Sequence, residues 1–139
     1  MMRNGDGGAF DVAACRAHLR DRHARAYQVR ERRRRAAIAA LRCAVRVVLP
    51  RFAGVQRAYL FGSVLHPGGW RATSDVDIAI EGKLDAREYL ALWRELERAA
   101  PDWLIDLVEL GQDLRFAERV RERGELIYGD PDSDVESGH

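Results

Sequence analysis

The segment 59–81 constrains this chain more than any other part of its sequence. An apolar run stops at Gly62-Ser63, and a loop with one proline and two glycines leads to the sequence Ser-Asp-Val-Asp-Ile-Ala-Ile, in which the acids are Asp75 and Asp77. Because successive side chains of a strand point to opposite faces, we expect the two acids on one face and the apolar residues on the other. The segment therefore predicts two neighbouring strands joined by a polar loop.

Two carboxylates on one strand face repel each other unless a positive group lies between them. Oxygen ligands of this kind suit Mg²⁺, which keeps several waters and also binds substrate phosphates. Gly62 permits a sharp turn and the close approach of a ligand. Amides exposed at such a turn, together with the hydroxyl of Ser63, form a site for phosphate oxygens. A phosphate site beside a carboxylate pair is the arrangement that metal-dependent nucleotidyl transfer requires.

A third acid is found in the apolar run 103–110, which reads as another strand. Asp106 interrupts this run, and a lone buried carboxylate costs several kcal/mol unless it is paired or bound to a metal. We interpret Asp106 as part of the site. The alternative is that Asp106 lies at an exposed position on an edge strand and has no role in the site. By alternation Glu109 lies on the opposite face.

The loop between the predicted phosphate-binding turn and the acidic strand carries further candidate residues. Arg71 is predicted to contact a triphosphate. His66 is an incidental loop residue or acts near the phosphates. Trp70 is expected to anchor the loop, with stacking on a base as the alternative, and the loop as a whole is expected to lie over the site.

These residues resemble a known family. "LFGS", a loop and "SDVDIAI" are similar to the signature of the DNA polymerase beta-like nucleotidyltransferases, and more narrowly of the minimal nucleotidyltransferase (MNT) domains that accompany HEPN-domain partners. Asp106 matches the family's third acid, and the segment 121–129, ending in "IYG", matches its closing helix and glycine. The resemblance covers roughly residues 36–129. In this chain eleven residues separate Ser63 from Asp75, one more than is usual, and no basic residue follows Ser63.

The resemblance implies an α/β (α+β) fold with a small mixed sheet of three or four strands flanked by helices, here with a long N-terminal helix. It also implies ATP as substrate and two Mg²⁺ ions held by Asp75, Asp77 and Asp106. Gly62, Ser63 and Arg71 would bind the nucleotide. The acceptor would be a hydroxyl, namely a tyrosine of a HEPN toxin, so that the chain would be an antitoxin.

Charge is distributed unevenly along the chain. Residues 1–60 hold 14 arginines and 4 acids, whereas residues 61–139 hold 9 basic residues and 18 acids. We predict a basic N-terminal helical extension (1–35, disordered over 1–9), a nucleotidyltransferase domain (36–129) and a disordered acidic tail (130–139). The arginine-rich part is interpreted as a solvated helix face, with or without partner contacts, or as a surface for nucleic acid or triphosphate.

Two other functions are compatible with these features. One is an antitoxin that neutralises its partner by binding alone, and the other is a nucleic-acid-binding regulator that uses the basic helix. No apolar run approaches the ~20 residues that span a bilayer, which predicts a cytoplasmic protein.

Overall fold

The computed structural model describes residues 3–71, 73–111 and 113–132, the first eight of them by their backbone alone. Short 3₁₀ turns at Leu49–Arg51 and Gly62–Leu65 follow the first helix and the first strand. The regular elements, in chain order, are α1 (Arg3–Val48), β1 (Val55–Phe61), β2 (Val76–Gly82), α2 (Ala86–Ala99), β3 (Ile105–Glu109), α3 (Leu114–Arg123) and β4 (Glu125–Tyr128).

The four strands form one mixed sheet in the order β3-β2-β1-β4. β1 pairs antiparallel with both β2 and β4, and β2 pairs parallel with β3. The α+β fold with a small mixed sheet and a long first helix is therefore confirmed.

Each strand buries alternate residues on opposite faces of the sheet. On one face, called here the two-helix face, α1 and α2 cover the strands in one continuous apolar core that includes Leu41, Val45, Leu60, Ile78, Leu92, Leu96 and Leu107. On the other, the α3 face, a smaller cluster contains Ala117 and Val120 of α3 with Tyr59 and Ala79 of the sheet. Because α3 has only 10 residues, it covers only part of its face.

Acidic residues begin α2 and α3, at positions where Asp and Glu are typical of helix starts. Asp85 and Glu88 form a complete capping box, with bonds of 2.8 and 3.0 Å between each side chain and the other's backbone N–H. Asp113 accepts a hydrogen bond of 3.1 Å from the backbone N–H of Phe116. These carboxylates satisfy free amides at helix starts, so their role is structural.

α1 is one uninterrupted helix of 46 residues. The expectation of disorder over residues 1–9 is wrong for residues 3–9, because extending a formed helix adds a hydrogen bond for each residue that is fixed; residues 1 and 2 lie outside the described residues. The boundaries at residues 35 and 129 stay predictions, and residues 133–139 of the predicted tail also lie outside the described residues.

Across the described part of the chain, no helix has a segment apolar enough to cross a bilayer.

Candidate functional site

The carboxylates of Asp77 and Asp106 lie side by side at one end of the sheet. The two residues are register partners in the parallel pair of β2 and β3. Their neighbours Val76 and Ile105 are buried in the core of the two-helix face, so alternation places both acids on the α3 face. Asp75 precedes the first residue of β2 and is exposed.

The Gly62 turn lies against the same carboxylates. β1 ends at Phe61, which pairs with Asp77. Gly62 then adopts a φ of +80°, and a Cβ atom placed on it would lie 2.3 Å from Oδ2 of Asp77. The structure thus brings together three of the residues chosen from the sequence, although they belong to three different strands or turns.

The electrostatics of Asp77 differ from those of an ordinary surface acid. Burial, together with the neighbouring charges of Asp106 and Asp75, raises the pKa of its carboxyl to about 6. Within the described residues, neither Asp77 nor Asp106 has a cationic side chain at ion-pair distance. The ionised pair is therefore unfavourable without a bound cation.

Glu81 provides an internal comparison, because it lies on the same face of β2 four residues beyond Asp77. Arg57 lies 3.6 Å from its carboxylate, and Arg121 of α3 also forms an ion pair with it. The hydroxyl of Tyr59 is within 3.3 Å of the same group. The acid at one end of this face is thus neutralised, whereas the acids at the other end have no countercharge among the described residues.

The donor set fits Mg²⁺ that arrives with a nucleotide. Among the described residues, no three His, Cys, Asp or Glu side chains are gathered closely enough to hold one ion by themselves. Mg²⁺ is commonly bound by one or two carboxylates, with waters and substrate phosphates as the remaining ligands. Asp77 and Asp106 supply that number of carboxylates, and Asp75 is near enough to affect the pKa of Asp77.

The loop after Gly62 is anchored away from the carboxylates, on the two-helix side. Trp70 is 1% exposed, packs 5.8 Å from Trp103 between ring centroids, and directs its indole N–H to the backbone oxygen of Asp75 at 3.3 Å. The backbone N–H of Gly68 donates to Glu31 of α1 at 2.8 Å. The anchoring role of Trp70 is confirmed, and the expectation that the loop as a whole covers the site stays a prediction.

The remaining sequence-chosen residues are placed around the turn. Ser63 follows Gly62 in the short 3₁₀ turn and is half-buried. Arg71 is exposed in the turn before Asp75, where its backbone N–H donates to Oγ of Ser74 at 3.3 Å. The described contacts do not bring the Arg71 side chain to the carboxylates.

A cleft of about 270 Å³ opens beside Gly62, between the end of β1 and α3. Its lining includes His66 and two arginines that the sequence analysis missed, Arg119 and Arg123. The rings of Phe61 and Phe116 meet edge to face at 5.4 Å, and the Arg119 guanidinium lies 5.9 Å from the Phe116 ring. The only signal in the sequence was the spacing of four between the arginines, which places both on one side of the helix.

Comparisons with known proteins agree with this geometry. A family model described as Polymerase beta, Nucleotidyltransferase matches residues 45–133. No curated protein sequence matches the chain.

Solved structures of toxin–antitoxin proteins are similar to the chain. A toxin–antitoxin with AMP-PNP is 28% identical with a TM-score of 0.53, and the match covers 69% of this chain and 76% of that one. A mutant of the toxin–antitoxin MntA-HpeT is also 28% identical, with a TM-score of 0.51 and coverages of 66% and 72%. A protein from Shewanella oneidensis, 22% identical with a TM-score of 0.50 and coverages of 70% and 77%, shows likeness of fold alone.

The matched region contains the Gly62 turn, all three aspartates and the cleft-lining helix α3. It also covers more than half of the chain. This chain therefore belongs to the polymerase beta nucleotidyltransferase family and is a nucleotidyltransferase.

Proposed function

We propose that this chain is an antitoxin that transfers AMP from ATP to a tyrosine hydroxyl of a HEPN-domain toxin, in a Mg²⁺-dependent reaction. The observation that carries the proposal is the pair of adjacent carboxylates, Asp77 and Asp106, held against the Gly62 turn without a countercharge. The 28% identical relatives support the biological setting, because one is a toxin–antitoxin with the ATP analogue AMP-PNP and another is a toxin–antitoxin mutant. The HEPN partner and its tyrosine follow from the MNT resemblance.

Asp77 and Asp106 would hold Mg²⁺ together with Asp75, and the ion, when bound, neutralises the phosphate charge that develops during transfer. The amides of the Gly62 turn and the hydroxyl of Ser63 would bind the β- and γ-phosphates. Arg119 and Arg123 line the adjoining cleft and supply the positive charge that is absent directly after Ser63. Arg71, on the other side of Asp75 in sequence, is a further candidate for the triphosphate.

In this reaction the acceptor oxygen attacks the α-phosphorus, and the bond from that phosphorus to the bridging oxygen of pyrophosphate breaks. Asp106 would take the proton of the acceptor hydroxyl as the new phosphodiester bond forms. Transfer of this kind depends mainly on the positions of the reacting groups and on charge stabilisation, with little covalent chemistry from the protein.

The acceptor is expected to arrive on a second protein. The cleft beside Gly62 is open and small, and Asp75 at the carboxylate end of the sheet is exposed. A tyrosine on a partner surface would reach the carboxylates from solvent.

The proposal is tested by incubating the purified chain with ATP, MgCl₂ and the HEPN-domain protein encoded beside it, followed by intact-protein mass spectrometry. We expect the partner to gain mass in units of AMP, with the modified residue identified as tyrosine by fragmentation. Asp77→Asn and Asp106→Asn should abolish the gain. Glu97→Gln is the matched control, because Glu97 is an exposed acid on α2, behind the other face of the sheet.

A stable complex with an unmodified partner would overturn the transfer reaction and indicate an antitoxin that acts by binding alone. AMP transfer that persists in Asp77→Asn would overturn the assignment of the site. Modification of serine or threonine would leave the enzyme class intact and replace the proposed acceptor.

A further inference from the structure

The first helix continues well beyond the body of the domain. Residues 11–30, called here the arm, are exposed throughout, and the buried side chain of Glu31 follows them. At 1.5 Å for each residue, the arm is about 30 Å long. The family model begins at residue 45, so the arm is not part of the matched domain.

The arm leaves the domain at the end of the sheet that carries the carboxylates. Arg34 donates to the backbone oxygen of Val64, 2.8 Å away in the turn that follows Gly62. The Arg33 guanidinium lies 5.0 Å from the ring of Trp103, which precedes β3 and its Asp106. The base of the arm therefore lies at the end of the sheet that carries the site.

A seam with alternating spacings of three and four runs along the arm, and it is apolar at every position except Arg22. The large apolar side chains of the seam are strongly exposed, with exposed fractions of 53% for Val12, 47% for Leu19 and 48% for Val29. This 3.5-residue period is the pattern of a helix that packs against a second helix as a coiled coil. The six seam positions are Val12, Cys15, Leu19, Arg22, Ala26 and Val29.

Every position that flanks the seam from residue 16 to residue 32 is basic or histidine. In a coiled coil these flanking positions face those of the partner helix and select it by charge. Two copies of this arm would therefore set arginine against arginine in either orientation, which is unfavourable. The flanking positions are Arg16, His18, His23, Arg25, Arg30 and Arg32.

We infer that the arm binds an amphipathic helix of a partner protein whose apolar seam is flanked by Asp and Glu residues. Two features on one surface favour this partner over a nucleic acid: exposed aliphatic side chains along the seam, and arginine or histidine at the flanking positions from 16 to 32. A polyanion would need the arginines but not the seam. The inference does not depend on AMP transfer, because it concerns binding alone.

The test uses the full chain, without nucleotide, and two fluorescent synthetic peptides of three heptads. Both peptides carry Leu along the seam; one has Glu at the flanking positions and the other has Lys. We expect saturable binding of the Glu peptide only, measured by fluorescence anisotropy. Circular dichroism of each protein variant verifies that the helix is retained.

Three variants distinguish binding through the seam from attraction by positive charge alone. Leu19→Gln keeps a good helix former and Arg25→Glu reverses a flanking charge; each should weaken binding of the Glu peptide about tenfold. Arg20→Glu makes the same charge change at an exposed position away from the seam, and should weaken binding by no more than about twofold.

Failure of the Glu peptide to bind would overturn the inference. Equal effects of Arg20→Glu and Arg25→Glu, with none from Leu19→Gln, would overturn it as well, because they indicate attraction by charge alone. In that case a single-stranded RNA of the same negative charge should compete with the peptide, and the arm would be assigned to nucleic acid.

Discussion

The carboxylate of Asp77 occupies the space that a side chain at position 62 would fill. A Cβ atom on Gly62 would approach Oδ2 of Asp77 to 2.3 Å, and the backbone at Gly62 has a φ of +80°. The turn and the carboxylate are thus mutually dependent, since the position of one requires the absence of a side chain in the other. This relationship connects the proposed phosphate site to the proposed metal site.

Gly62→Ala should abolish most of the AMP transfer. The added methyl group displaces the Asp77 carboxylate from its place beside Asp106, and the left-handed backbone adds a strain of about 1 kcal/mol. Initial rates of transfer and urea unfolding of the same preparations measure the two effects. Gly111→Ala is the control, because nothing lies within 4 Å of its added Cβ; a loss of transfer in that variant equal to that in Gly62→Ala would contradict the explanation.

The contribution of Asp77 to the stability of the protein should fall as pH rises from about 4 to 6. The carboxyl of Asp77 has a pKa of about 6 in the folded chain, against an ordinary value of 3.8. Between these values the folded state binds more protons than the unfolded state, so the free energy of unfolding decreases with increasing pH and becomes level above pH 6.

Asp77→Asn should remove this part of the pH dependence. Above pH 6 the variant should be more stable than the parent by about 1 kcal/mol. This value is smaller than the free energy that corresponds to the whole pKa difference, because the site is open to solvent. Urea unfolding at pH 4, 5, 6 and 7.5 measures the difference. MgCl₂ should stabilise the parent above pH 6 more than the variant, and identical pH profiles for the two proteins would show that Asp77 does not cause the effect.

Replacing the cleft arginines should weaken nucleotide binding. Arg119→Gln and Arg123→Gln each remove a cation from the cleft beside Gly62, and a charge-assisted hydrogen bond contributes about 1.5–3 kcal/mol. We expect the KM for ATP to rise about tenfold in each variant, with a smaller change in kcat. Arg115→Gln, an exposed arginine of the same helix outside the cleft, should keep the parental KM; an equal rise there would assign the effect to net charge.

Trp70→Phe should reduce both stability and activity. Phenylalanine keeps an aromatic ring in the core but loses the indole N–H that lies 3.3 Å from the backbone oxygen of Asp75. The expected loss of unfolding free energy is about 1–2 kcal/mol, and transfer should slow because Asp75 is held less firmly. Trp103→Phe is the matched control, since the indole N–H of Trp103 donates to none of the described residues; if it slows transfer equally, the hydrogen bond is not the cause.

Local sequence patterns predicted much of the fold. The alternation in 75–80 placed Asp77 and the apolar residues of β2 on opposite faces, and the Asp85 and Asp113 caps mark the helix starts where the structure has them. These features depend on residues within a few positions of one another, so the sequence alone contains their cause. The Gly62 turn was predictable for the same reason.

The environment of each acid was not predictable in this way. Asp77 and Glu81 lie on the same face of one strand, yet only Glu81 receives Arg57 and Arg121, the latter from 40 positions along the chain. Arg119 and Arg123 were missed because their place at the cleft depends on how α3 packs across the sheet.

The sequence by itself therefore determined the strand and helix pattern, the capping residues and the choice of three aspartates and a glycine turn. Only the tertiary structure decided that Asp77 is the register partner of Asp106, that the acid at the other end of β2 is neutralised, and that the basic arm leaves from the carboxylate end of the sheet. The physical reason is distance along the chain. Periodicity and capping are local, whereas strand register, ion pairs and helix direction arise from contacts between distant segments.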